Sequence, residues 1–598
     1  MTALRRDLLT GAAAGLVGGL VLAASLQAQG RMSMVAGLTG LPASGLAVAA
    51  QLLIAVLLGA GFGALFRYHP ESHAASISGG LLYGLLWWIG GPLTLTPLLD
   101  GRGPTWSLSE ATAAFPGLIA HLLYGGAVGV TFYILTSAYA RRYPTLSPAS
   151  PGVPGTHLLI VGGGFGGVTA AQRLEHLLAR DGSVQITLVS QSNYLLFTPM
   201  LAEVAASGLE ARHISAPVRA ALTRTAFRRA EVEAIDVVAQ VVRVRPTPIS
   251  PVETLRYDHL ILALGSVPNY HGLPGVETNT FALKSLNDAT RLRDHVIAQL
   301  EQADVESSPL ERVRQLTFVV AGGGFGGTEV IAELLDLTHS VRRFYPRIQP
   351  ADLRFVLVHS GARILPELSP TLAEYAQRKL EARGIEFLLN TRVAGATPDA
   401  VTLVGGDEIP TRTIVWTAGS QPHPLLQTLP CERNHAGAVR AASSLQVTGL
   451  RNVWAVGDCA QIPDVYNAGK ACPPTAQHAI RQGAVAAENV VAALQGRRPR
   501  PFRFRTFAVL VALGLRTAVA EFRGWKFSGL LAWFMWRTVY LSKLPGIEKK
   551  VRVALDWTLD FFFARDIAVT MISPTPTLSR AMSIALAQSP GSAEKPVR

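Results

Sequence analysis

Two glycine-rich hexapeptides of identical sequence, GGGFGG, stand at residues 162–167 and 322–327. In such a loop the first glycine makes a tight turn, the third admits a pyrophosphate and the sixth lets a helix pack closely on a sheet. Gly162 and Gly322 would take the turn, Gly164 and Gly324 the pyrophosphate, and Gly167 and Gly327 the packing. Phe165 and Gly166 open the helix whose unpaired N–H groups would face the first phosphates. Each loop follows an apolar run, residues 157–161 and 316–321, and precedes a helix-like segment. One such loop is often a flexible turn. Two in strand–turn–helix settings imply two dinucleotides side by side, most simply a nicotinamide that passes hydride to FAD.

Other residues refine the two sites. Residues 260–268 (LILALGSVP), 413–422 (TIVWTAGSQP) and 452–461 (NVWAVGDCAQ) each read as an apolar strand followed by a small-residue turn. In the last of these, Asp458 could accept hydrogen bonds from a polyol such as the ribityl chain of FAD. The strand that ends each first βαβ unit usually presents an acid to a ribose hydroxyl. Here one ends in Ser190, able to hydrogen-bond an adenosine ribose, and the other in His359, with Arg363 four residues on. Losing the carboxylate removes repulsion against a 2′-phosphate, and Arg363 could pair with it. NADPH is therefore expected to be accepted at least comparably with NADH.

Together these features resemble the two-dinucleotide-domain flavoprotein oxidoreductases, and more narrowly the type II NADH dehydrogenases. The resemblance rests on both glycine loops, NYLLFTPMLAEVA (193–205), GGGFGGTE (322–329), VGDCA (456–460), PPTAQHAIRQG (473–483) and KFSGLLAW (526–533). It covers residues 156–570 or so and leaves the N-terminal quarter outside. It implies FAD on Gly162, Gly164, Gly167 and Asp458, and a nicotinamide nucleotide, NAD(P)H, on Gly322, Gly324 and Gly327. It further implies a membrane quinone, menaquinone or ubiquinone, as electron acceptor, and a homodimer. Glu329 falls where that family carries a glutamate near the nicotinamide–flavin contact. Gln477 falls where a glutamine faces flavin and quinone. Arg481 stands where the family usually has a second glutamine, and Gln482 follows it. No metal is required.

The chain that positions these residues has 598 of them, 49% hydrophobic, with a net charge of +13. That charge suits nucleic acid or an anionic membrane surface, and no nucleic-acid motif occurs. Four apolar stretches, residues 8–26, 46–66, 77–98 and 117–139, each approach the ~20 residues that cross a bilayer. Gly11, Gly15 and Gly19, Gly59 and Gly63, and Gly125 and Gly129 form small-residue stripes suited to close helix approach. Pro92 and Pro97 should kink the third span. Arg5, Arg6, Arg67, Arg141 and Arg142 flank one side, against Arg31 and Arg102 beside Asp100 on the other. By the positive-inside rule both ends of the bundle face the cytoplasm, which places the enzyme on the cytoplasmic side of a cell membrane. His121, His69 and His73 are read as hydrogen-bonded or solvated rather than as haem ligands.

Beyond Arg505 the chain changes character. Residues 524–544 mix Trp525, Trp533, Trp536 and Tyr540 with Lys526, Arg537 and Lys543. Aromatic anchors with cations read as interfacial helices, and residues 551–563 add a second; the competing reading is a helix pair packed on the enzyme. The expected organisation is an all-α four-helix transmembrane bundle (1–142), a proline-rich linker (143–155) and an α/β body of two Rossmann-like domains. Of that body, residues 156–313 and 411–500 would bind FAD and 314–410 NAD(P)H. A membrane-associated C-terminal region (501–572) and a disordered tail (573–598) complete the chain. Two other readings stay open. A sulfide:quinone oxidoreductase needs reactive cysteines, and only Cys431, Cys459 and Cys472 are present, without a CxxC pair. A redox sensor would bind the nucleotides without turnover and signal through the bundle.

Overall fold

The computed structural model of the chain describes residues 3–30, 45–65, 73–99, 101, 103, 105, 113–142, 155–467, 469–506, 508–514, 516–522 and 524–569. Residues 143–154 of the linker, the tail after Ser573, Arg31, Arg67, His69, Asp100 and Arg102 lie outside these residues. Of Arg5, His73, Arg141 and Arg142 only the helical backbone is described.

Four apolar helices come first: α1 (Ala3–Ala28), α2 (Gly45–Leu65), α3 (His73–Gly90) and α4 (Phe115–Arg142). All are long and apolar enough to cross a membrane. The third runs on through a π-helical turn, Gly91–Leu95, before Thr96–Leu99. Pro92 opens that turn, where its missing N–H interrupts the α-helical ladder.

Helix α1 packs on α2 and α4, and α3 packs on α4. A Cβ on Gly11 would stand 2.3 Å from the Gly59 carbonyl oxygen, and one on Gly59 would stand 2.4 Å from that of Gly11. Gly80 and Gly125 make the same contact between α3 and α4, at 2.0 Å in either direction. Helices in lipid gain from such close backbone approach because lipid tails already satisfy apolar side chains. Polar groups are met inside the bundle: Ser76 Oγ donates to Gly129 O (2.7 Å) and Tyr83 Oη to Leu58 O (2.7 Å). His121 Nδ1 donates to Gly117 O one turn back, at 2.8 Å. No cluster suited to a metal occurs among the described residues.

The body holds two five-stranded parallel sheets. In the first, β1 (Thr156–Val161) lies between β2 (Val184–Ser190) and β4 (His259–Leu262). Its edges are β3 (Ala226–Arg229) and β10 (Val453–Ala455). In the second, β6 (Thr317–Ala321) lies between β7 (Arg354–Val358) and β9 (Thr413–Trp416), with β5 (Phe281–Ala282) and β8 (Ile385–Leu388) at the edges. The central strands are buried on both faces, which is why they read as unbroken apolar runs. Strands β5 and β9 lie outside the 314–410 segment, and in the second sheet β5 pairs with β9 and β9 with β6. Sequence alternation cannot show this, since strands of either sheet look alike.

A third, antiparallel sheet of β11 (Ala508–Ala512), β12 (Ala518–Phe522) and β13 (Trp525–Gly529) leads into α10 (Leu530–Lys543) and α11 (Ile547–Leu559). Trp525 and Lys526 therefore belong to a strand and not to the helix expected over 524–544. Gly529, at φ +72°, turns the chain from strand to helix.

Candidate functional site

Both glycine loops adopt one geometry. Gly162 and Gly322 each have φ +113°, a conformation that a side chain would strain. A Cβ on Gly167 would stand 1.9 Å from Gly162 O, and one on Gly327 the same distance from Gly322 O. By contrast a Cβ on Gly164 or Gly324 meets nothing within 4 Å, so each opens on free space. These glycines are the N-caps of α5 (Phe165–Leu177) and α8 (Phe325–Val341), and neither helix has a side-chain cap. The first N–H groups of both helices, including those of Phe165 and Gly166, thus face open cradles, which is what a pyrophosphate needs.

The strand ends flank these cradles. Ser190 is buried at the end of β2, its hydroxyl beneath the first loop, 2.6 Å from where a Cβ on Gly163 would lie. His359 follows β7, and its Nδ1 accepts the Gly323 N–H at 3.1 Å. Burial pushes the His359 imidazole down, favouring its neutral form. Arg363 donates to Leu368 O (3.0 Å) and Pro366 O (3.1 Å), so its fork is already engaged by its own loop. Pairing with a 2′-phosphate would require that fork to turn.

Asp458 follows Gly457, whose φ of +72° makes the turn. Its Oδ2 accepts the Ser266 hydroxyl at 2.7 Å, and Lys284 Nζ donates to the same hydroxyl at 2.9 Å. Helix α9 (Ala476–Leu494) then crosses α5, where a Cβ on Gly483 would stand 2.3 Å from Gly166 O. Gln482 is buried and accepts the Gly457 N–H at 2.8 Å. Gln482 is thereby tied to the turn that precedes Asp458. Arg481 donates to Gln477 O (2.9 Å) and stacks over Phe504 at 4.0 Å.

Strand β11 brings the two halves of the site together. Gln477 Nε2 donates to Ala508 O at 3.1 Å, while Glu329 Oε1 accepts the Ala512 N–H at 3.1 Å. The Glu329 carboxyl is pushed up to about 8 by burial first, opposed by the Ala512 N–H and reinforced by Glu203 and Glu333. Glu203, on α6 (Leu201–Ala205), is buried and accepts the Trp557 indole N–H at 3.1 Å. Glu333 pairs with Arg565 at 2.8 Å. Glu329 is thus no solvated first-turn acid favoured by a helix dipole.

The aromatic residues read as membrane anchors divide between two faces. Trp533, Trp536 and Trp557 are buried, and Arg537 lies over the Trp533 ring at 4.0 Å and the Trp557 ring at 4.5 Å. A different set, Leu530, Leu531, Phe534, Leu555, Phe562 and Phe563, forms the exposed apolar face. The packed helix-pair reading thus holds for one face of α10 and α11.

Sequence reasoning assigned no role to Ser266, Lys284, Glu203, Glu333, Trp557 or Arg565. Only the spacing of Glu329 and Glu333, one helical turn apart, was available as a local signal. The cysteines make no site: all three are free, and Cys459 is buried, its thiol pushed up to about 11 by burial.

Comparison with known proteins accords with this geometry. Residues 156–483 match the pyridine nucleotide-disulphide oxidoreductase family, and residues 509–566 match the NDH2 C-terminal domain. The chain is 31% identical over 419 residues to a probable NADH dehydrogenase of Dictyostelium discoideum, covering 69% of this chain and 90% of that protein. It is also 31% identical over 436 residues to the type II NADH:quinone oxidoreductase NdhA of Mycobacterium tuberculosis, covering 70% and 90%. Among solved structures, NDH2 of Plasmodium falciparum in complex with NADH aligns with a TM-score of 0.65 at 18% identity, over 69% of this chain and 99% of that one.

Proposed function

The chain belongs to the pyridine nucleotide-disulphide oxidoreductases, and within them to the type II NADH:quinone oxidoreductases, and from this premise we propose how its residues divide the work. The enzyme oxidises a reduced nicotinamide nucleotide and reduces a quinone. FAD, when bound, supplies the two-electron relay between them. Its pyrophosphate fits the open cradle at Gly164, with Phe165, Gly166 and Gly167 around it, its adenosine ribose reaches Ser190 and its polyol chain Asp458. The nicotinamide nucleotide takes the second cradle, at Gly324, with His359 and Arg363 at its adenosine end. Gln477, Arg481 and Glu329 would face the reacting rings.

The observation that carries this reading is the shared hold of β11. Gln477 comes from the helix that crosses the first glycine loop, and Glu329 from the helix that opens on the second. Each is hydrogen-bonded to the same short strand, four residues apart on it. Strand β11 therefore ties the two nucleotide halves to one element, which supports their alignment. Hydride transfer needs that alignment more than it needs acid or base groups.

The bundle would hold the enzyme at the membrane, with its Arg6 end and the catalytic body on the cytoplasmic side. The exposed face of α10 and α11 would lie in the headgroup layer, where a lipid-soluble quinone arrives, and a second copy would complete a homodimer.

Mixing the yellow detergent-purified protein anaerobically with NADH, then with a menaquinone analogue, tests the reading. Bleaching of the flavin by the nucleotide and its recovery on quinone addition support it; no bleaching overturns it. Bleaching with negligible steady turnover would favour a sensor. Bleaching by sulfide and not by nucleotide would favour the sulfide reading, which the absence of a cysteine pair argues against.

A further inference from the structure

Quinone reduction needs more protons than the nicotinamide brings. A hydride carries two electrons and one proton, whereas a quinone takes two electrons and two protons to become a quinol. One proton per turnover must come from solvent. It must cross a protein layer that elsewhere keeps water from the reacting rings.

Glu203, Glu329 and Glu333 gather where α6, α8, β11, α10 and α11 meet. Glu203 is within electrostatic reach of Glu329 and Glu333 from α8, Arg537 from α10 and Arg565 beyond α11, and it bonds Trp557 from α11; Asp336 and Asp560 face Glu333, and Tyr540 from α10 faces Glu329. The cations do not balance the acids. Arg565 is committed to Glu333 at 2.8 Å and Asp560 at 3.5 Å, and it also donates to Ala206 O and Glu333 O. Arg537 lies over aromatic faces and acts on Glu203 by its charge alone, its buried Nε having no hydrogen-bond partner among the described residues. Glu203 and Glu329 are left with neutral donors only, the Trp557 indole N–H for the first and the Ala512 N–H for the second, with the Trp536 indole also turned toward Glu329. Two enclosed carboxyls in that position cannot both be charged at low cost, so the pair retains a proton. Burial and the Glu333 charge push the Glu203 carboxyl up in the same sense as Glu329.

The pair also has an outlet. Between α10 and α11 lies a cavity of about 230 Å³, lined by Trp533, Phe534, Arg537, Leu541, Trp557 and Phe561. Two of these, Arg537 and Trp557, are also neighbours of Glu203, so one wall separates the cavity from the carboxyl pair.

We propose that Glu203 supplies the solvent-derived proton of quinone reduction, acting through Glu329 and refilled through the α10–α11 cavity. The proposal rests on the quinone-reductase reading above. An O–H bond of Glu329 breaks as one forms on a quinone oxygen; Glu203 then gives its proton to the Glu329 carboxylate, and water from the cavity reprotonates Glu203. No oxidant or reductant beyond nucleotide and quinone is involved. Glu203 touches neither, so it is a positioning and proton-holding residue.

The test uses the full-length flavin-loaded protein and rapid mixing at a series of pH values. In Glu203→Gln, recovery of flavin colour on adding a soluble quinone analogue should slow at least about tenfold and lose the wild-type pH dependence, while bleaching by NADH slows far less. Trp557→Phe removes the N–H that favours the charged form, so the alkaline limb of the recovery profile should move up in pH. A readout independent of turnover is the infrared C=O band of a protonated carboxyl in the oxidised protein without nucleotide or quinone, which Glu203→Gln should diminish. A wild-type pH profile in Glu203→Gln, equal slowing of both half-reactions, or an unchanged carboxyl band would overturn the proposal. Wild-type protein that bleaches with NADH but never recovers with quinone would overturn the quinone reading, and this proposal with it, before any variant is made.

Discussion

His359 Nδ1 accepts the backbone N–H of Gly323 at 3.1 Å, so the residue at the usual place of a ribose-binding acid is instead tied beneath the second glycine loop. With Nδ1 acting as acceptor, the neutral ring carries its proton on Nε2. That proton is drawn to the Arg363 backbone carbonyl, and the neutral ring brings no charge to repel a 2′-phosphate. Wild-type protein should therefore turn over NADPH within about tenfold of NADH in kcat/KM, and His359→Asp should shift the ratio about tenfold or more toward NADH. Steady-state rates with both nucleotides decide it. A hundredfold wild-type preference for NADH, or a ratio unmoved by the aspartate, would sink the idea.

The two cradles should fail separately. Gly167→Ala drives a methyl to 1.9 Å from Gly162 O, and Gly327→Ala does the same to Gly322 O while approaching Thr417 Oγ1 at 2.6 Å. Neither neighbour is the end of a flexible side chain that can yield freely, so the loop itself must move. Gly167→Ala should purify with little flavin. Gly327→Ala should keep its yellow colour and lose bleaching by NADH. Flavin-to-protein absorbance ratios and anaerobic bleaching separate the two; loss of flavin from both would contradict the division of sites.

The parts of this arrangement that were legible in the sequence are the local ones. A glycine loop between strand and helix is specified by six adjacent residues, and both loops carry the expected turn and open cradle. The carboxyl cluster was not legible because its contacts join Glu203 to Trp557 and Glu333 to Arg565, pairs far apart in the chain. The tryptophans of α10 and α11 misled for another reason. Aromatic residues mixed with arginine describe an interfacial helix and a buried cation–π stack equally well, and only packing shows that Trp533 and Trp557 enclose Arg537. Likewise the bond of Gln482 to the Gly457 N–H joins residues 25 apart in the chain and was not legible from its place beside Arg481.

The bundle seam gives a prediction with its own control. Gly59→Leu must displace Gly11 O at 2.4 Å and the Gly15 backbone, whereas Gly126→Ala meets only the Leu81 side chain at 3.5 Å. The first should separate α1 from α2 and cost about 2 kcal/mol or more, and the second should be near neutral. Thermal unfolding in detergent checks both. Equal melting of the two variants would mean that the glycine contacts do not hold the pair.

The exposed apolar face of the C-terminal helices is testable residue by residue. Phe562 is 77% exposed and Trp557 is 5% exposed, although both are aromatic and close in the chain. If the exposed face lies in the headgroup layer, Phe562→Cys in membranes should react with a lipid-soluble maleimide and resist a charged one. Equal reaction with both reagents would place that face in water.

Stability should respond to pH through Glu329. Its carboxyl, ordinarily near 4.5, is pushed up to about 8 in the folded chain, chiefly by burial. Between those values the folded protein keeps a proton that the unfolded chain has lost, so unfolding releases it and is favoured as pH rises. The contribution is fully present below about pH 4.5 and declines by roughly 1.4 kcal/mol per pH unit until the folded carboxyl also ionises. Glu329→Gln keeps the side-chain shape and an oxygen to accept the Ala512 N–H, but it has no proton to lose. Its melting temperature should therefore fall less steeply than that of the wild type between about pH 5 and 8. Glu203 and Glu333 are raised in the same direction, so some slope should remain. Parallel melting curves for variant and wild type across that range would show that Glu329 ionises normally in the fold.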